Sequence, residues 1–462
     1  MVAPWARAME SRLADPTMHI AALRHFEAGR LAEAAAACVA ILNGVPRDWL
    51  ALRMLGHIRK SERAFDQAVH LLAAALQAAP SDTDDTVSML NDLAEALLGN
   101  QDYAGALDCC RRALAHDPRD AMTLRNHGNA LAALNRHTEA LEQYRLARMV
   151  TPDSARLRLN EGIAMLALGV WPEGWERLEA RLSIPPPEGV GPFPDNIPQW
   201  RGEPDIAGKS ILLHAEQGLG DTLQFIRYAP LVAARGARVV LRVQPALGPL
   251  FARLPIADTV FTFFDAVPDV DLQCPVASLP LAFRTTLANL PAQVPYLGAP
   301  PEYLMLWQAL LGLRRRKRIG IAWFGRQNMP HRSLPLHTLA PLLLGRQDVE
   351  FHSLQKEMPE SDRRWLATHG VVVDHTEDQR NFLDTTALVA RMDMVLSIDT
   401  AMAHLAGALG KPVWIMLPFS ADWRWLVGRS DSPWYPTARL FRQKRPGDWN
   451  GVVAEVAQAL SV

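Results

Sequence analysis

Asp399, Thr400 and His404 stand close together in the stretch 396–418, LSIDTAMAHLAGALGKPVWIMLP, and that spacing could hold a phosphate. The runs at 394–398 and 413–417 are rich in apolar and β-branched residues and predict buried parallel strands. Between them Asp399 or Thr400 takes an N-cap position, Gly410 takes the C′ position and Pro412 follows, so the segment reads strand, turn, helix, stop, strand. The free N–H groups and partial positive charge that open such a helix attract anions, and His404, about one turn in, could donate to a phosphate oxygen. Ala401, Ala403, Ala406, Gly407 and Ala408 keep the helix thin enough for its backbone to approach a sheet or a ligand. The same residues also fit a capped, well-packed helix whose histidine meets no ligand.

Further polar groups sit where other predicted strands end. The loop Glu216-Gln217-Gly218-Leu219-Gly220-Asp221-Thr222 joins a strand at 210–214 to a helix. Its glycines suggest a dinucleotide loop, yet Leu223 or Phe225 stands where a small residue is required, and Arg242-Val243-Gln244 where an acidic one is. Asp221 fits a helix N-cap. Gly325, Arg326, His331, Arg332 and Ser333 follow a strand at 319–323, and Lys356 follows one at 350–354. Asp384 and Thr385 are placed to cap the helix ahead of 394–398.

The elements that must position these groups fill the second half of the chain. Strands are expected at 210–214, 238–243, 259–263, 270–273, 319–323, 350–354, 370–373, 394–398 and 413–417, alternating with helices, which predicts two successive Rossmann-type α/β domains over 205–312 and 313–462. The basic run 314–318 reads as a solvated connector. A proline-rich stretch at 184–204 cannot continue a helix and reads as a linker.

Residues 1–183 are rich in Ala, Leu and Arg and lack strand-like alternation. Pro46, Pro80, Pro118 and Pro152 stand 34, 38 and 34 residues apart, and 34 is the period of a tetratricopeptide helix hairpin. One aligned column holds Ala22, Gly56, Ala94 and Gly128, and another holds Ala34, Ala68, Ala106 and Ala140, with residues 83–86 as an insertion. A further unit from Ala155 keeps Gly162 and Gly174 in those columns, so about five repeats are expected, stacked into a right-handed superhelix with a concave face. Arg53, Asn91, Arg125, Asn126 and Asn129 are expected to face that groove and suit an extended peptide backbone.

With 462 residues the chain holds two or three domains. A net charge of -1 gives no bulk attraction to nucleic acid or membrane surfaces. No apolar leader opens the sequence and no uncharged apolar stretch is long enough to span a bilayer, which predicts a cytoplasmic protein with no membrane insertion. Cys38, Cys109, Cys110 and Cys274 have neither metal-site nor disulfide spacing and read as small core residues.

The string Asp399-Thr400-Ala401-x-x-His404, continued to Pro412, resembles the nucleotide-sugar signature of the heptosyltransferase-like glycosyltransferases, family nine, whose usual form is Asp-Ser/Thr-Gly-Pro-x-His. Ala401-Met402 stands here in place of Gly-Pro. From about residue 200 onward the chain is more similar still to bacterial proteins that fuse tetratricopeptide repeats to such a transferase, some of which modify flagellin. The resemblance implies a GT-B pair of Rossmann domains behind an α-solenoid. It also implies an inverting transferase with no cofactor and no metal, acting on a nucleotide sugar and on a protein acceptor such as flagellin held in the repeat groove. Asp221 is then the candidate base, and Gly220, Arg326, Lys356, Asp399, Thr400, Ala401 and His404 the candidate donor-binding residues. Cationic groups and helix N–H groups would meet the charge that develops on the leaving diphosphate. Two other readings are a non-catalytic adaptor with a nucleotide-binding transferase-like domain, and a transferase acting on a lipid-linked glycan.

Overall fold

The computed structural model describes residues 17–80, 85–185, 196–325 and 332–461. The chain divides into two compact units, Met1–Ala164 and Met165–Val462.

The first unit is a stack of helix hairpins: Thr17–Glu27 with Leu31–Gly44, Trp49–Ser61 with Phe65–Ala78, Thr86–Gly99 with Tyr103–His116, and Ala121–Ala133 with His137–Val150, followed by Ala155–Ala167. The small-residue columns have a direct physical cause. Ala22, Ala34, Ala68, Ala94, Ala106 and Ala140 are fully buried, and a Cβ on Gly56 would lie 2.7 Å from Leu72, so each column marks where one helix backbone meets the next. Asp48 and Asp120 cap the helices that follow them by accepting from Ala51 N at 2.8 Å and Thr123 N at 2.7 Å.

Each polar residue expected in the groove has a hydrogen-bond partner in a neighbouring repeat. Arg53 is fully buried and donates to Asp92 at 2.7 Å, Asn126 donates to Asn91 at 3.2 Å, and Arg125 donates to Glu95 at 2.9 Å. Asn129 accepts from Tyr144 at 2.9 Å and from Asn160 at 2.8 Å. Buried amides and guanidinium groups need partners, and the neighbouring repeat is the nearest source.

The second unit begins at Met165, in the last turn of the helix Ala155–Ala167, and includes the helix Trp171–Leu178. Trp171 stacks on Trp434 with ring centroids 5.2 Å apart, and Trp175 donates to Thr285 O at 2.9 Å. Arg181 forks onto Glu216 at 2.7 and 2.8 Å. These contacts bury the helix hairpin's last member in the α/β core. The linker expected at 184–204 lies partly outside the described residues; its far end is packed, with Trp200 fully buried and its N–H donated to Gln273 O at 2.7 Å.

The strands are β1 (Ser210–His214), β2 (Arg238–Val243), β3 (Thr259–Thr262), β4 (Leu272–Pro275), β5 (Lys317–Ala322), β6 (Val349–Ser353), β7 (Val372–Val373), β8 (Met394–Ile398), β9 (Val413–Leu417) and β10 (Ala438–Arg442). They form a four-stranded sheet in the order β3-β2-β1-β4 and a six-stranded sheet in the order β10-β9-β8-β5-β6-β7, with parallel pairing throughout. Each sheet grows outward in both directions from its first strand, as in a Rossmann sheet. The order therefore reverses between β1 and β4 and between β5 and β8, and crevices at the carboxyl ends of such strand pairs hold ligands. β10, not expected from the sequence, is an edge strand in which Arg439 is exposed, so its apolar signal is weak. Among the described residues no helix is long and apolar enough to cross a membrane.

Candidate functional site

Two strand–helix turns meet at the reversal points of the two sheets. The helix Leu219–Phe225 follows β1 and the helix Ala401–Ala408 follows β8. Thr400 is the N-cap of the latter, its hydroxyl accepting from Met402 N at 3.3 Å. At the other end Gly410 takes a φ of +68°, and Gly410 N and Lys411 N bond to Gly407 O and Ala406 O, both at 3.0 Å, which closes the helix as a Schellman motif. The turn after β5 abuts the cap: a Cβ on Gly325 would lie 3.5 Å from Thr400 Cγ2.

Gly220 and Ala401 let the two helices touch. A Cβ on Gly220 would lie 2.8 Å from His404 Cδ2 and 3.6 Å from Ala401 Cα. His404 is buried between the helices rather than open to a ligand: Nδ1 is 2.9 Å from the Tyr435 hydroxyl and the ring stacks on Trp425 at 5.3 Å. Burial, with the nearby Arg424 guanidinium, pushes its pKa down to about 3, so the imidazole is neutral at ordinary pH. Gly220→Ala is expected to cost about 1–2 kcal/mol, because the clash with a ring pinned on two sides outweighs the ~1 kcal/mol of helix propensity gained. The denaturant midpoint checks this, and an unchanged midpoint would show that the helices have room to part.

Asp221 occupies the third position of its helix, not the N-cap, and its Oδ2 accepts from Gly218 N at 2.7 Å. Its Oδ1 is paired with Arg424 Nη2. Arg424 Nη1 donates to Asp422 at 2.8 Å, Arg332 lies 3.2 Å from Asp422, and Arg332 Nη1 lies 3.4 Å from Asp399. An alternating line of charge thus runs Asp221, Arg424, Asp422, Arg332, Asp399, from the first sheet's helix to the end of β8. Burial raises the pKa values of Asp221 and Asp399 against the pull of Arg424 and Arg332 respectively. Asp422, gripped by both guanidinium groups, is held well below the carboxylate range although burial opposes it.

The structure therefore brings together Gly220, Asp221, Asp399, Thr400, Ala401 and His404. Lys356 is exposed and donates to Thr376 O at 3.0 Å. Its neighbour Gln355 ties the end of β6 to that of β5, its side-chain oxygen accepting from Trp323 N at 3.0 Å and Phe324 N at 3.1 Å. Arg326 lies outside the described residues. Asp384, expected as a cap, accepts from Arg380 N at 3.1 Å and Trp307 Nε1 at 3.2 Å, and Asn381 is the N-cap. Asp422 and Arg424 are not among the site residues expected from the sequence; the alternation Asp422-Trp423-Arg424-Trp425, with charges between rings, is the signal they carry.

A tetratricopeptide-repeat family model matches residues 54–121 and 91–155. The chain is 28% identical over 424 residues to Protein FlbA of Caulobacter vibrioides, covering 85% of this chain and 70% of that protein. Among solved structures it is similar to a glycosyl transferase family 9 protein from Veillonella parvula, with a TM-score of 0.43 and 10% identity over 56% of this chain and 98% of that one. It is also similar to the E. coli ADP-heptose LPS heptosyltransferase II, with a TM-score of 0.41 and 14% identity over 55% of this chain and 97% of that one.

Proposed function

We propose that the protein is an inverting, metal-independent glycosyltransferase that moves a sugar from a nucleotide-sugar donor to a protein acceptor recruited by the repeats. The observation that supports this most is the meeting of two strand–helix turns, one from the reversal point of each parallel sheet, at Gly220, Ala401 and His404, with the Asp221 carboxylate beside them. In this reading the donor diphosphate lies at the carboxyl ends of β5, β6 and β8. The N-terminus of the Ala401–Ala408 helix capped by Thr400, with Lys356 and Arg326, meets its charge. Asp221 takes the proton from an acceptor hydroxyl as that oxygen bonds to the anomeric carbon, and the diphosphate leaves with the electrons of the bond that breaks. A single displacement inverts the anomeric centre. The resemblance to repeat-fused transferases makes flagellin the first acceptor to test.

Incubation with ADP-, UDP- and GDP-activated sugars, with and without flagellin, tests the reading by released nucleoside diphosphate and by intact mass. If no donor is consumed under either condition, the transferase reading fails. Two truncations separate the roles of the units. Removal of residues 1–154 should leave donor hydrolysis near the parental rate and abolish protein modification; full modification by that fragment would remove the recruiting role of the repeats. Removal of residues 1–183 should leave an unfolded chain, because it takes Trp171, Trp175 and Arg181 out of the α/β core, and a cooperative melt of that fragment would contradict this.

A further inference from the structure

We infer that Arg424 is the positioning residue of this site: its guanidinium, itself fixed by Asp422, Gln224 and the ring of Trp423, holds the Asp221 carboxylate in place and supplies a positive charge that favours its ionised form. The consequence for catalysis rests on the transferase reading above; the charge linkage stands without it.

Arg424 is held at every nitrogen. Nη1 donates to Asp422 at 2.8 Å, Nε donates to Gln224 Oε1 at 2.9 Å, Nη2 meets Asp221, and the guanidinium carbon lies 4.4 Å from the centre of the Trp423 ring. Gln224 and Asp221 are on the same short helix, so one guanidinium is registered against two of its residues at once. A buried planar fork with these partners has no alternative rotamer that keeps them, and the carboxylate it touches inherits that rigidity. Asp422, sharing Arg332 at 3.2 Å, anchors the fork from the other side.

The charges around Asp221 make Arg424 necessary. From the Trp423–Trp425 turn come Arg424 and, before it, Asp422; from the loop after β1 comes Glu216; from the Ala401–Ala408 helix comes His404, which is neutral; beyond them lie Arg332 and Asp399. Burial and two carboxylates favour the protonated acid; Arg424, the cation in contact, is the larger of the two groups that oppose them, the other being the Gly218 N–H. A base already carrying its proton cannot accept one from a hydroxyl, so the strength of this pair sets the pH below which the site fails.

The test follows the Asp221 carboxyl itself in full-length protein labelled with [4-¹³C]aspartate, its resonance assigned by its absence in Asp221→Asn. In Arg424→Gln the titration midpoint should rise by about one pH unit or more, and Arg424→Lys should return it towards the parent. With the ADP-, UDP- or GDP-sugar that the parent hydrolyses fastest, the acid limb of the rate profile should move up with the midpoint, costing about tenfold in rate on that limb for each unit. A midpoint unmoved in Arg424→Gln, or moved equally by Gln and Lys, overturns the inference. If Arg424→Gln does not fold, the lysine variant decides: positioning requires hydrolysis to fall about tenfold or more on the plateau with the midpoint held, and parental hydrolysis overturns it. A parent that hydrolyses no nucleotide sugar, in a set of variants that shows the midpoint shift, removes the transferase reading and leaves the Arg424–Asp221 linkage standing.

Discussion

Asp221→Asn is expected to bind nucleoside diphosphate as the parent does and to transfer sugar about 10²–10⁴-fold more slowly. Asparagine keeps the shape of the side chain and can still accept from Gly218 N, but it cannot take a proton at neutral pH. Donor affinity should hold because the carboxylate is assigned to the acceptor. Folding stability should drop by about 1–3 kcal/mol, since a charged hydrogen bond to Arg424 is lost while Arg424 keeps Asp422. Calorimetric titration with nucleoside diphosphates, thermal melting and single-turnover transfer separate these effects. Transfer at the parental rate by a folded, donor-binding variant would leave Asp221 as a residue that ties down its helix turn and nothing more.

Trp434→Ala should cost about 3–5 kcal/mol, the largest loss of stability expected from any one side chain here. The ring is fully buried, stacks on Trp171 at 5.2 Å, meets Phe225 edge-on at 5.8 Å and lies 5.4 Å from the Arg227 guanidinium carbon. It joins the Trp171–Leu178 helix to the helix that carries Asp221, and the cavity left behind would be bounded by rings too rigid to fill it. Denaturant unfolding measures the loss. Hydrogen exchange should rise first in the Trp171–Leu178 helix, and a loss below about 1 kcal/mol would show that this aromatic cluster collapses around the gap.

The strands 210–214, 238–243, 394–398 and 413–417 stand where the sequence places them because a strand buried in a parallel sheet is a short apolar run between turn signals, a property of the run itself. The repeats were legible for a similar reason. Ala and Gly recur wherever one helix backbone presses on the next, and a Cβ on Gly56 or Gly128 would collide with Leu72 or Tyr144. Thr400, Ala401 and Gly410 were legible as a cap, a thin helix and a stop, since each acts on backbone within a few residues of itself.

What only the tertiary structure decided is every role that depends on a partner far along the chain. Helical spacing tells which face Arg53 and Asn91 occupy, but the next repeat covers that face and takes their hydrogen bonds. The tryptophans of the Trp171–Leu178 helix leave the solenoid for the α/β core because Trp434 offers them a face there. His404 looks open to a phosphate in the sequence and proves to be enclosed by Gly220, Tyr435 and Trp425. Asp221 and Arg424 are 203 residues apart, and nothing in the local pattern of either announces the other. Backbone geometry is a short-range property that residue order carries by itself, whereas an ion pair exists only where folding sets two side chains within a few ångströms and excludes the water that would otherwise separate them.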